Sequence, residues 1–380
     1  MTQGLAYEER VVGGVRHCLM RRPGDPEPVC SLEVTAFRQR FGAVAVAAEG
    51  IGGVETRPDF RRHGHMRQLL EAAVAGMRER VAVCFVSEAI EGAYEQRGFV
   101  TALGEGELVV PVRAVERGME REAGQETGRE AEGAGAFPPG PGRVRAGTDG
   151  DLPEVVRIFN AVHAQRPWSR VREADWDGRV PQEMWKPGSQ LLVLEGAAGD
   201  VIGYALLKGR SFGDSVRTLV VHEMGARDAA GVRRLLAELA ARCWELRVAE
   251  FTVREPADSL VGRIARAWGC GYRQRFPVGG GMMARILRRK ELVRELEPEL
   301  RRRADGYAYG PEALGELAGG ALVPDDGMLV RLLLGHWSVA DAVVQGLVVA
   351  EGYEGLFGRW FPGGGTLGLA LPHAHVLDRY

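Results

Sequence analysis

The chain of 380 residues carries 49 basic and 51 acidic side chains, a formal net charge of −2, and is 45% hydrophobic. This is ordinary globular composition with length for two or three cores, and a charge near zero gives no global field to hold a polyanion, which argues against nucleic acid as a partner. No apolar run approaches the ~20 residues of a membrane span, Met1-Thr2-Gln3-Gly4 lacks a charged-then-apolar leader, and Cys18, Cys30, Cys84, Cys243 and Cys270 form no CxxC pair. The expectation is a cytoplasmic protein without membrane partner, disulfide framework or structural zinc.

In chain order, alternating apolar residues predict strands over Val12–Met20, Val29–Arg38 and Gly42–Ala48. A helix follows over Gly64–Arg80, with Leu69, Leu70, Ala73, Val74 and Met77 on one face. A strand over Val81–Val86, a short helix over Ala89–Gln96 and a strand over Leu108–Val112 complete the first block. Residues 116–142, rich in Glu, Gly and Arg and ending Pro-Pro-Gly-Pro-Gly, have almost nothing to bury and read as a linker with at most one frayed helical stretch.

The second block repeats this order. A helix over Asp151–Ala164, cappable by Thr148 or Asp149, precedes strands over Gln190–Glu195, Val201–Lys208 and Ser215–Val221. A helix over Ala229–Arg247, a strand over Ala249–Val253, a helix over Ser259–Trp268 and a strand over Gly280–Ile286 follow. Setting Leu69-Leu70 on Leu235-Leu236 places Val54 on Val220, Arg61 on Arg227 and Gly64 on Ala230. About 77 residues precede Val220 from Arg143 but only 53 precede Val54, so the first block is short by roughly one strand and one helix. From Leu287 a charged helix over Arg288–Ala304 leads into short, Gly-rich apolar segments. The units are therefore 1–115, a linker 116–142, 143–286 and 287–380.

The chemistry concentrates in Ile51–Leu70, IGGVETRPDFRRHGHMRQLL. A strand end at Gly53–Thr56 enters a turn with Arg61, Arg62, His63 and Gly64, then a helix. That order aims free backbone N–H groups and the positive end of a helix dipole at one point, where a pyrophosphate is suited. Gly64 lets the backbone approach closely and the arginines add charge. On these residues alone, a glycine at a strand-to-helix turn is more often an ordinary turn.

The segment resembles the acetyl-CoA-binding turn of the GNAT acetyltransferases, Arg-x-x-Gly-x-Gly/Ala, with Arg61, Gly64 and Met66 in those places. The second signature of that superfamily, a tyrosine ahead of Gly-Phe, is found as Tyr94, Gly98 and Phe99. Two GNAT-like blocks and a small third unit together resemble the enhanced intracellular survival (Eis) family of N-acetyltransferases, whose turn reads Arg-Arg-Arg-Gly-Leu-Leu. Arg61-Arg62-His63-Gly64-His65-Met66 is similar to it.

The resemblance implies an α/β fold: two tandem GNAT-like folds, the first truncated and the second degenerate, plus a sterol-carrier-like α+β domain. It implies acetyl-CoA as co-substrate, a homo-oligomer such as a hexamer, and N-acetylation of a primary amine, from polyamine or aminoglycoside-like acceptors to other small molecules. Val54, Glu55, Thr56, Arg61, Arg62, His63, Gly64, His65, Met66 and Arg67 would bind the donor, and the N–H of Val54 or Thr56 would polarise the thioester. Tyr94 would be the general acid, since a phenol of pKa ~10 is protonated at pH 7. The carboxylate of Tyr380 would be the base.

The resemblance places Ser87 and Glu88 where an acceptor would approach, with helix capping as the plainer reading of Ser87. No Cys or Ser stands beside a base, so direct attack without an acyl-enzyme is expected. The second block has Ala230 at the glycine place, Asp228 near it and Ala267 at the tyrosine place, and reads as inactive. His373 and His375 form an HxH without an obvious third ligand, so no metal is expected. The competing reading is a non-catalytic CoA- or lipid-binding module.

Overall fold

A computed structural model describes residues 4–88, 92–102, 104–126, 142–167, 169–173, 189–207, 219–275, 281–310 and 312–362, without the side chains of Glu88, Glu105, Gln125 and Glu126. The chain opens on β1 (Ala6–Val12), which the sequence reading missed, paired antiparallel with β2 (Val15–Arg21). Gly13 and Gly14 connect them, both at positive φ (58° and 79°), the conformation of a two-residue hairpin turn that only glycine adopts freely. β3 (Cys30–Phe41) and β4 (Val44–Thr56) follow, then helix α1 (His65–Arg80), β5 (Val83–Glu88), a single 3₁₀ turn at Glu95–Arg97 and β6 (Val100–Thr101).

The first block then leaves its own sheet. β7 (Glu105–Pro111) runs into α2 (Val112–Glu126), a helix at the start of the expected linker. The second block comprises β8 (Arg143–Ala146), α3 (Leu152–Val162), β9 (Arg170–Val171), β10 (Gln190–Glu195), β11 (Val201–Leu207) and β12 (Leu219–Ala226). It continues with α4 (Ala229–Leu246), β13 (Glu250–Val253), α5 (Leu260–Trp268), β14 (Gly271–Arg275) and β15 (Gly281–Ile286).

The two sheets exchange their last strands. Sheet one runs β1-β2-β3-β4-β5-β15-β6, with β9 on β3, and sheet two runs β14-β7-β13-β12-β11-β10-β8. β15 pairs antiparallel with β5 and β6, and β7 with β13 and β14. Side chains follow the strands: Leu108 and Val110 lie in the core under α4, and Met283 lies in the core under α1. A cut at residue 115 or 286 therefore leaves each block holding a strand of the other's sheet.

The first block was expected to lack an opening strand and helix. The strand is present: β1 is the outermost strand of sheet one, as β8 is of sheet two. What is missing is helical. α3 intervenes between β8 and β10, whereas Gly13-Gly14 alone joins β1 to β2. α3 buries Val155, Ile158 and Phe159 on Leu191, Val193, Tyr204 and Leu206, covering one face of sheet two.

Past β15 the described residues form five helices: α6 (Arg289–Arg303), α7 (Glu312–Gly319), α8 (Asp326–Leu333), α9 (Val339–Val344) and α10 (Glu354–Trp360). No strand occurs among the described residues of this segment, where an α+β sterol-carrier-like domain was expected. The helices pack onto sheet one, with Leu292, Leu296, Leu329 and Trp360 sharing a core with Phe41, Val46, Ala48 and Phe85. The seam is polar at one point. Glu299, 2% exposed, accepts the Ala43 N–H (3.2 Å) and bonds from Arg302 and Arg303. Its carboxylate occupies the space a side chain at Gly42 would need. Burial alone would raise the Glu299 carboxyl, but the two guanidinium groups outweigh it and hold it below its ordinary value.

Candidate functional site

Strand β4 is shared unequally by its neighbours. It pairs with β3 out to Cys30↔Thr56, but with the parallel β5 only over Ala48–Ile51 against Val83–Val86. Beyond Ile51 the two parallel strands part, and residues 52–56 pair on the β3 side only. A bulge sits at the fork. Ser31 opposes Glu55 and Glu33 opposes Gly52, so Gly53 and Val54 together face Leu32, with Gly53 at φ +55°. Bulges re-aim backbone groups, and here they free β4 amides at the opening.

The turn after β4 leaves a run of backbone N–H groups uncapped. Arg62 (φ 66°) and Gly64 (φ 79°) are both left-handed, a conformation costly for arginine and one that gathers successive N–H groups into a concavity. Helix α1 starts at His65 with no side-chain cap and no acidic residue in its first turn. Its first intrahelical bond runs from Gln68 N–H to Gly64 O (3.2 Å), so the amides of His65, Met66 and Arg67 precede the ladder. The Nδ1 of His65 is buried without a hydrogen-bond partner among the described residues. The His63 and His65 rings stack at 5.8 Å, and Arg61 Nε donates to Thr56 O (3.1 Å).

Two cations here were not found from sequence. The guanidinium groups of Arg22 and Arg57 lie 4.9 and 4.8 Å from the centre of the Phe60 ring, and Arg57 is fixed by Asp25 at 2.7 Å. Arg57 directly follows Thr56 and could have been suspected; Arg22 is brought in only by the β2–β3 connection.

Tyr94 is 8% exposed and precedes the turn Glu95–Arg97, which Gly98 ends at φ 75°. Its ring meets Phe99 edge-on at 5.9 Å. It belongs to the buried cluster of Val86 and Met283, against which Val54 and Met66 pack, so it shares a core with the fork and the turn. Ser87 is half-buried on β5 and paired with Met282 of the exchanged strand. The side chain of Glu88 and all of Tyr380, His373 and His375 lie outside the described residues. Burial pushes the Cys84 thiol far above its ordinary value, which keeps it an inert core residue. Among the described residues, no three His, Cys, Asp or Glu side chains gather to hold a metal, and no helix is long and apolar enough to cross a membrane.

The second block has the same fork in closed form. β12 pairs with β13 over Leu219–Val221 against Phe251–Val253, and its bulge falls at His222. Just past it, buried Glu223 takes both guanidinium nitrogens of buried Arg172 (2.7 and 2.8 Å) and the Tyr204 hydroxyl (2.6 Å). Arg172 also lies 3.3 Å from the Phe159 ring centre. The helix start is closed as well, because the Asp228 carboxylate accepts the Gly231 N–H at 2.8 Å. An aspartate thus holds the place where α1 leaves its amides open.

Glu255, fully buried beside this network, is pushed up to about 8, chiefly by burial, with the Glu223 carboxylate adding and Arg166 opposing. A folded-state value above the ordinary 4.5 means that the folded chain binds the proton more tightly, so stability falls as pH rises from about 4.5 to about 8. Glu255→Gln, uncharged throughout, is expected to melt several degrees above the native chain at pH 8.5, with the gap closing near pH 5. A constant gap across calorimetric scans at both pH values would contradict the assignment.

Residues 5–102 match the family described as an acetyltransferase (GNAT) domain. Over those residues the N-terminal unit is similar to a GNAT-type acetyltransferase domain. Three solved structures are similar in fold. A probable N-acyltransferase of Enterococcus faecalis V583 has TM-score 0.51 and 16% identity over 72% of this chain, which spans only 63% of that protein. A GCN5-related N-acetyltransferase of Anabaena variabilis has TM-score 0.63 and 13% identity, covering 92% of this chain and 87% of its own. Eis1 of Mycobacterium abscessus has TM-score 0.61 and 15% identity, covering 96% and 91%. At these identities the likeness is one of fold, and it extends over both sheets. No curated protein matches the chain.

Proposed function

We propose that the first unit transfers acetyl from acetyl-CoA directly to a primary amine, and that the second is a closed, non-catalytic copy. The observation that carries this is the contrast between the units: an uncapped helix start beside an open fork in one, an aspartate-capped start beside an ion-paired fork in the other. Acetyl-CoA supplies the activated acetyl group. The amides of residues 65–67, with Arg61, Arg62 and His63, hold its pyrophosphate, and Arg22 and Arg57 extend the cationic surface. The free edge of Val54–Thr56 holds the pantetheine as an added strand, and a bulge amide polarises the thioester oxygen. Tyr94 protonates the leaving thiolate, and the carboxylate of Tyr380 takes the proton of the attacking ammonium. The Eis-like architecture favours polyamine or aminoglycoside-like acceptors and assembly into a homo-oligomer.

The test is CoA release from acetyl-CoA over a panel of primary amines, with nothing appended after Tyr380. Turnover above the no-amine blank, lost when residues are added after Tyr380, is the expected result. Tight acetyl-CoA binding without turnover on any amine would leave a CoA-binding module instead.

A further inference from the structure

We infer that Glu33, steadied by His17, is the acceptor-side residue that receives a cationic amine at the fork, and so selects protonated aliphatic amines over uncharged ones. This deepens the acetyl-transfer reading and rests on it. Neighbouring Leu32 and Val34 are both buried under α1, so alternation along β3 sends Glu33 to the opposite face of sheet one. The Glu33 side chain lies against the bulge itself: a Cβ placed on Gly53 would stand 3.1 Å from its Cγ and Cδ. Glu33 opposes Gly52, one residue beyond the last β4–β5 pair, Ile51↔Val86. Its carboxylate therefore stands where the parallel strands part and where the thioester is placed on the reading above.

The position is open. The Glu33 side chain is 37% exposed and that of His17, directly opposite on β2, is 26% exposed, with Nδ1 3.7 Å from the carboxylate. Gly53 is exposed as well. The opening follows from the missing helix. In the second block, the residue one step beyond Leu207↔Val221 is Leu206, buried in the cluster that α3 covers. In the first block the matching position, one step beyond Val34↔Ile51, is a glutamate, and the Gly13-Gly14 turn replaces the connection that carries α3. The charged residue thus occurs where the fork is open, and a leucine where it is closed.

At such a site a carboxylate holds an ammonium group by a charge-assisted hydrogen bond and offers nothing comparable to a neutral amine. His17 is proposed as a positioning residue, its Nδ1 3.7 Å from the Glu33 carboxylate.

The experiment compares the native chain with Glu33→Gln and Glu33→Asp on 1,4-diaminobutane, a dication near neutral pH, and on an uncharged arylamine. For Glu33→Gln, kcat/KM on the diamine is expected to fall at least tenfold more than on the arylamine, chiefly through KM, with the acetyl-CoA Kd unchanged. Glu33→Asp, which keeps the charge on a shorter arm, should fall between. Calorimetric titration of 1,4-diaminobutane into the CoA-loaded protein supplies a second reading, with at least tenfold weaker binding by Glu33→Gln. An equal loss on both amines, or no loss in KM and calorimetry, overturns the inference. If the native chain binds acetyl-CoA but acetylates nothing, the catalytic reading fails, and the titration alone decides whether Glu33 holds the amine.

Discussion

Tyr94→Phe is expected to slow acetyl transfer by about 10²–10³-fold while leaving acetyl-CoA affinity within about twofold of the native value. Both halves of the result follow from placement. The ring sits in the core under α1 with Val86 and Met283, edge-on to Phe99, and phenylalanine keeps those contacts. On the proposed reading the donor phosphates sit at the turn of residues 61–67, which does not involve Tyr94. Only the hydroxyl is lost, and on the proposed mechanism its proton is what the departing thiolate takes. Steady-state kinetics paired with calorimetric binding of acetyl-CoA separates the effects. Native turnover in the variant would remove Tyr94 from the mechanism, and loss of donor binding together with turnover would make the ring a packing element.

Arg172→Ala should destabilise the second unit by about 3–5 kcal/mol, because it leaves the buried carboxylate of Glu223 without its cation. The removed side chain is itself buried and stacked on Phe159, so a cavity and a lost cation–π contact act in the same direction. The triple replacement Arg172→Met, Glu223→Leu and Tyr204→Phe removes charge and hydroxyl together, and is expected to recover most of the loss. Denaturant unfolding followed by Trp fluorescence reads both. Equal stability of Arg172→Ala and the native chain would show that the ion pair does not hold the second fork closed. Since β7 and β15 are exchanged, severe loss in the second unit is also expected to loosen sheet one.

Local structure was largely legible in the chain. The apolar stripe of Leu69, Leu70, Ala73, Val74 and Met77 places α1 with its buried face correct, because helical period is a property of neighbouring residues. Gly64 and Asp228 were legible as the difference between the two turns, and the structure adds that Asp228 caps α4. β1 was missed although Gly13-Gly14 announces a hairpin, since Tyr7, Glu8, Glu9 and Arg10 do not alternate: every residue of β1 is exposed. β14, similarly exposed over most of its length, was missed for the same reason.

Readable along the chain were the repeated order of elements and the contrast between a glycine-led helix start in the first copy and an aspartate at its counterpart in the second. These depend on residues a few positions apart, whose side-chain period and backbone freedom act locally. It took the folded chain to show that β7 and β15 change sheets, that Arg172 meets Glu223, and that Arg22 lies over Phe60 beside the turn after β4. The folded chain also decided that the C-terminal helices close over sheet one and that Glu33 stands at the fork. Each of these pairs residues tens to hundreds of positions apart. A strand's edge carries no mark of which partner it will take, and a buried charge becomes legible only when the opposite charge is folded against it.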